Sequence, residues 1–159
     1  MRKYFFFCFF FLTVFALAEA QTVDPELKEF VKRYYDAWNT LKSENADPFY
    51  AKDSNIVFFD AAPLQYNGWK EYKEGAQKLF FDTTTSCKLI PNDDLKTFRH
   101  GSVGWITLTL HLSAVMKDGS ATELDLRQTS ILEKRDGKWL IVHEHISAPL
   151  NLVETPAPK

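Results

Sequence analysis

From Asp24 onward, apolar side chains recur at three- and four-residue spacing. Leu27, Phe30, Val31, Tyr34, Trp38 and Leu41 form one stripe that ends near Ser43 to Asn45. That period belongs to an amphipathic helix. Asp24-Pro25 is its start signal, a side-chain acceptor at the cap with proline at the first helical position. Asp47-Pro48 repeats the signal and predicts a short helical turn through Phe49 and Tyr50. Asn55 to Phe59 reads as a strand and Asp60 to Gly68 as a loop. Trp69, Tyr72, Ala76, Leu79 and Phe80 mark a second helix. After Asp82 the period shortens to two. Thr83 to Ile90, Leu95 to Arg99, Val103 to Met116, Ala121 to Glu133 and Lys138 to Ile146 are β-rich runs separated by Pro, Asn, Asp and Gly clusters. In the third of these, Ile106, Leu108, Leu110, Leu112, Ala114 and Met116 make an apolar face, and Trp105, Thr107, Thr109, His111 and Ser113 make the other. Helices first and strands second predict an α+β fold. Strands this long have to bend, so the expected architecture is a cone. A strongly curved antiparallel or mixed sheet carries the N-terminal helices on its concave face and encloses a cavity of the kind that binds small ligands.

Asp136-Gly137 between two β-rich runs predicts a type I′ hairpin, because both central residues of that turn need positive φ. A regular ladder from this turn pairs Arg135 with Lys138, Ser130 with His143 and Gln128 with His145. Leu126, Gln128, Ser130 and Leu132 then share a face with Ile141, His143, His145 and Ser147, and this face is free of charge until Lys134. The opposite face alternates charge with aliphatic bulk and includes Arg127 and Glu144. On this reading the two histidines project inward.

The first residues have a different grammar. Arg2 and Lys3 precede an apolar run from Tyr4 to Leu17 that holds seven of the chain's 14 phenylalanines, and Ala18-Glu19-Ala20 is a small-x-small cleavage site. Residues 1–20 therefore read as a signal peptide, since the run is shorter than the roughly 20 residues of a membrane span. This predicts secreted or periplasmic localisation. Cleavage after Ala20 of the 159-residue chain leaves 139, the size of a single domain, expected over 21–150 with a flexible tail at 151–159. Losing Arg2, Lys3 and Glu19 from 19 basic and 21 acidic residues gives a net charge of minus three without a basic cluster. Nucleic acid and anionic membrane are therefore not expected partners. Cys87 becomes the only cysteine and reads as a buried structural thiol. With no Gly-rich phosphate loop and no Cys-x-x-Cys pair, no cofactor is expected. No metal is expected either, because the two histidines lack an identifiable third ligand.

The order helix, short helix, strand ending in Asp, helix, then long strands finishing in Asp136-Gly137-Lys138-Trp139-x-x-x-His143-x-His145-x-Ser147 resembles the nuclear transport factor 2-like superfamily in its SnoaL-like branch, from about Asp24 to Leu150. The last strand also resembles the association domain of calcium/calmodulin-dependent kinase II. The superfamily includes ketosteroid isomerases, polyketide cyclases, dehydratases and oligomerising hubs, so the resemblance implies a fold more than an activity. By analogy with the isomerases, Tyr34 matches the hydroxyl donor and Asp60 the catalytic base. No Asp or Glu occupies the region Gln128 to Ser130, where their protonated acid would fall, and the hubs' cavity arginine aligns with Ser130. The candidate catalytic residues are thus Asp60, Tyr34 and His143, with Gln128, Ser130, His145 and Trp38 as ligand contacts. The plainer alternatives are that Tyr34 is a core aromatic with a satisfied hydroxyl and that Asp60 caps its loop. Two functions are open. One is an exported domain that binds a small, mostly apolar molecule, with isomerase- or cyclase-like acid/base chemistry as its catalytic form. The other is a non-catalytic assembly or protein-binding module. A homodimer through the sheet suits both.

Overall fold

The first helix begins where its cap requires. The Asp24 carboxylate accepts hydrogen bonds from Glu26 N at 2.8 Å and Leu27 N at 3.1 Å, and Pro25 opens helix α1, Pro25–Trp38. The computed structural model describes residues 23–150, so the leader at 1–20 and the tail at 151–159 lie outside the described residues. The helix stops earlier than its stripe suggests. Leu41 adopts a φ of 60°, and a 3₁₀ turn spans Ser43–Phe49. This turn begins before Asp47, contrary to expectation. The Asp47 carboxylate is drawn instead to the Trp69 indole N–H at 2.5 Å and to the Lys52 and Lys73 ammonium groups. Strands β1, Val57–Phe59, and β2, Tyr66–Asn67, precede helix α2, Gly68–Leu79. The remaining strands are β3, Thr84–Pro91; β4, Lys96–His100; β5, Val103–Met116; β6, Ala121–Arg135; and β7, Lys138–Ser147.

These strands form one curved, unclosed mixed sheet in the order β2-β1-β7-β6-β5-β3. β4 continues the β3 edge of β5, because β3 pairs with the second half of β5 and β4 with its first half. Among the strands of the described residues, β1 and β7 pair in parallel, which sets Phe58 beside Glu144 and Phe59 beside His145. The period-two reading of β5 holds: Ile106, Leu108, Leu110, Leu112 and Ala114 are all buried. They pack with Leu27, Phe30, Val31, Tyr34 and Trp38 of α1 in one continuous core. The fold is α+β, as expected. Cys87 is a buried free thiol, its pKa pushed up to about 11 by burial. Among the described residues, no helix is long and apolar enough to cross a membrane.

The hairpin turn also forms as read, with φ of 48° at Asp136 and 77° at Gly137. Its ladder does not stay regular. Leu132 pairs with Ile141, but Ile131 pairs with His143, leaving Val142 as an extra residue in β7. A bulge of one residue reverses every side chain beyond it.

Candidate functional site

The bulge corrects the expected site. Beyond Val142 it is Glu144, not His143, that stands opposite Ser130, and Ile146, not His145, that stands opposite Gln128. His143 and His145 therefore lie on the open face of the sheet with Ile131 and Thr129, and neither lines the inner cavity. His143 Nδ1 is 2.7 Å from the Val57 carbonyl, and both imidazole rings meet Phe59 edge-on. His145 instead borders an outer groove of about 380 Å³ with Arg127 and Thr129. Glu144 also leaves the outer face on which it was expected with Arg127, because it is inside. Arg127 donates to the Ser147 hydroxyl.

Glu144 is wholly buried and forms the centre of the polar network. Its carboxylate accepts from the hydroxyls of Tyr34, Tyr50, Tyr72 and Ser130, at 2.9 to 3.1 Å, and from Gln128 Nε2 at 2.7 Å. Five donors meet a group with about four lone-pair sites. Burial raises the pKa of Glu144, and the hydrogen bonds from Tyr50, Tyr34, Ser130 and Tyr72 pull it back. The tyrosine hydroxyls shift upward as well. Burial first, and the Glu144 charge second, holds Tyr34 and Tyr50 well above the usual phenol range. Gln128 and Ser130, expected as ligand contacts, are committed to Glu144 and do not line the cavity.

Above this network lies a cavity of about 510 Å³ between the helices and the helix-covered face of the sheet. Tyr34, Trp38 and Asp60 line it. Tyr35, Tyr66 and Tyr72 join them, and Leu110, Leu112, Leu124, Leu126 and Ile146 supply the aliphatic floor. Tyr66 owes its place to Gly75. A Cβ on that residue would lie 2.2 Å from the Tyr66 ring, so only glycine lets the ring lie against α2. Tyr66 in turn stacks on Tyr72 at a centroid separation of 5.0 Å.

Asp60 follows β1 and sits at the wall of this cavity, partly exposed through it. Ala61 N donates to its Oδ1 at 2.7 Å, so the loop-capping role is real. Burial, and then the nearby Glu144 charge, pushes its pKa up from 3.8 to about 6 against that hydrogen bond. A carboxyl poised there can hold or release a proton near neutral pH. Among the described residues, no three His, Cys, Asp or Glu side chains converge to hold a metal ion.

The residues missed in sequence are Glu144, Tyr50, Tyr72, Tyr35 and Tyr66. One signal for Glu144 was available: Ile146 is in phase with Glu144, so an inward aliphatic at the end of β7 carries the glutamate in with it. The tyrosines come together only through tertiary packing.

Residues 27–151 match the SnoaL-like domain family. Among solved structures, a nuclear transport factor 2-like superfamily protein from Salmonella enterica serovar Typhimurium LT2 superposes with a TM-score of 0.74 at 18% identity, covering 84% of this chain and 95% of that one. A Xanthomonas campestris protein provisionally described as a calcium/calmodulin-dependent protein kinase II association domain gives 0.68 at 19% identity, covering 80% and 88%. A Streptomyces avermitilis protein provisionally described as a dehydratase of the same superfamily gives 0.67 at 12% identity, covering 79% and 95%. At such identities the likeness is one of fold. No curated protein matches the chain.

Proposed function

The chain belongs to the SnoaL-like domain family, and on that premise we propose that it is an exported domain whose inner cavity binds a small, mostly apolar molecule. The observation that supports this is the cavity itself, about 510 Å³ walled by aromatic and aliphatic side chains with Asp60 as the charged group on its wall. That volume lies within the range of small-ligand sites. Asp60 suits proton transfer, with a pKa of about 6. Stabilising an oxyanion needs free donors, and the Tyr34 and Tyr72 hydroxyls already donate to Glu144. Binding is therefore favoured over enolate chemistry.

The test is uptake of the neutral fluorophore N-phenyl-1-naphthylamine by the purified mature protein. Its emission rises and shifts to the blue, and Leu124→Trp, at a partly exposed wall position, abolishes the change while the protein stays folded by circular dichroism. No change in the wild type overturns the reading. Export is tested separately: intact-mass measurement of the protein recovered from the secretory compartment gives a chain starting at Gln21.

A second reading, assembly through the open sheet face, rests on one observation. An apolar row crosses that face, with Phe98 stacked on Trp105 at 4.9 Å, Trp105 opposite Ile131, and Ile131 opposite His143, which meets Phe59.

A further inference from the structure

The cavity's hydrogen-bonding capacity is one-sided. Tyr34, Tyr35, Tyr66 and Tyr72 line it, and each has one phenolic proton to give. Three of the four protons are spoken for, and the fourth is held by a long contact. Tyr34 and Tyr72 donate to Glu144, Tyr35 to Gln128 Oε1, and Tyr66 to the Ala62 carbonyl at 3.5 Å. Trp38 adds none, since its Nε1 is sealed from solvent. What faces a ligand is oxygen lone pairs and the Asp60 carboxylate, whose hydrogen bond among the described residues is the one from Ala61 N. A pocket that offers acceptors and withholds donors selects a molecule that brings its own donors.

Charge and wall chemistry point the same way. Glu144 lies behind the tyrosines and Asp60 on the wall, while no lysine, arginine or histidine among the described residues lines the cavity. Like charges in one poorly solvated site repel, and a cation relieves both. The walls are ring faces, from Tyr34, Tyr35, Trp38, Tyr66, Tyr72 and Phe80. Such faces attract cations within about 6 Å of the ring centre.

We infer that the ligand of this cavity is an organic cation, an apolar body bearing one protonated amine, with its N–H groups on the Asp60 carboxylate and its charge against the aromatic wall. This rests on the binding role proposed above and assigns the ligand's chemical class. Asp60, with a pKa of about 6, is ionised at pH 7.5 and ready to pair.

The experiment is isothermal titration of the mature protein at pH 7.5 with three probes of one size: 2-naphthylmethylamine, protonated at that pH, neutral 2-naphthylmethanol, and anionic 2-naphthoate. The expected order is amine, alcohol, naphthoate, with the amine about tenfold or more tighter than the alcohol, as a charge-assisted hydrogen bond and a cation–π contact together supply. Asp60→Asn brings the amine down to the level of the alcohol. The far-ultraviolet circular dichroism and cooperative thermal transition of the variant match the wild type, which shows that it is folded. If the alcohol or naphthoate binds the wild type as tightly as the amine, the cationic assignment is overturned and the binding role stands. If the amine preference persists in Asp60→Asn, the assignment to Asp60 is overturned. If none of the three probes binds while the neutral fluorophore is still taken up, the cation inference falls and the binding role stands; if the fluorophore is not taken up either, both fall.

Discussion

Among the described residues Glu144 has no cation beside it, yet it is wholly buried, so its hydrogen bonds carry the compensation for the loss of water. Burying an isolated carboxylate costs several kcal/mol, and hydrogen bonds to a charged group contribute about 1.5–3 kcal/mol each. Five donors offset much of that cost, and burial still keeps the Glu144 pKa raised. Glu144→Gln keeps one acceptor oxygen and turns the other into an NH₂ facing hydroxyls that had been donating to it. The expected loss is about 2 kcal/mol in urea unfolding, and a gain in stability would show that burial outweighs the network. Asp60 behaves in the opposite way. Its pKa rises from 3.8 to about 6 on folding, so between those pH values the native state holds a proton that the unfolded chain has released. Stability therefore falls as pH rises through this window, and the full penalty applies above pH 6. Asp60→Asn removes that dependence and stabilises the protein by about 1–2 kcal/mol at pH 8, after discounting for the solvent in the cavity. Near pH 3.5 wild type and variant converge. Equal melting temperatures for both at pH 8 would contradict the raised pKa.

Strand β7 shows where sequence reading ended and tertiary structure took over. The turn was legible because Asp136-Gly137 accepts positive φ at both positions, and the strands of the hairpin were legible from composition and period. The face beyond the turn was not. Leu140, Ile141 and Val142 are three consecutive aliphatics, and such a run has no alternation to set a phase. Either neighbour of Ile141 can therefore be the residue squeezed out of the ladder. The sheet resolves this by bulging at Val142, which buries Glu144 among its tyrosines and turns the histidines out. The same arithmetic gives a test. With Val142 deleted, Leu132 still faces Ile141, Ile131 still faces His143 and Ser130 still faces Glu144, now in an unbroken ladder. The deletion variant should fold and unfold cooperatively, at a cost of no more than about 2 kcal/mol, and should still take up the neutral fluorophore. Loss of cooperative unfolding would mean that the kink itself, and not the register it sets, is what the fold needs.

The two faces of the sheet divide the molecule into two separable surfaces, and the sequence had them half right. Helices before strands predicted the α+β layers, and Tyr34, Trp38 and Asp60 were recognisable as cavity residues. The contents of the faces depended on a single register step. The open face carries the apolar row of Phe98, Trp105, Ile131 and Phe59, and Trp105 and Ile131 are each about 40% exposed. The row crosses β4, β5, β6, β7 and β1, and the four spacings of about 4.8 Å between five strands span about 19 Å. That width can hold the roughly 800 Å² per partner of a standard interface. If the assembly reading holds, sedimentation velocity shows a dimer, and the paired substitution Trp105→Lys with Ile131→Lys converts it to a monomer by setting four lysines against each other across the two-fold axis. Both residues point away from the cavity, so fluorophore uptake stays the same in the variant. A wild type that sediments as a monomer at high concentration removes the assembly reading and leaves cavity binding untouched. If uptake is lost together with the dimer, the two faces are coupled, and the cavity is completed only when two copies hold the sheet in its curved form.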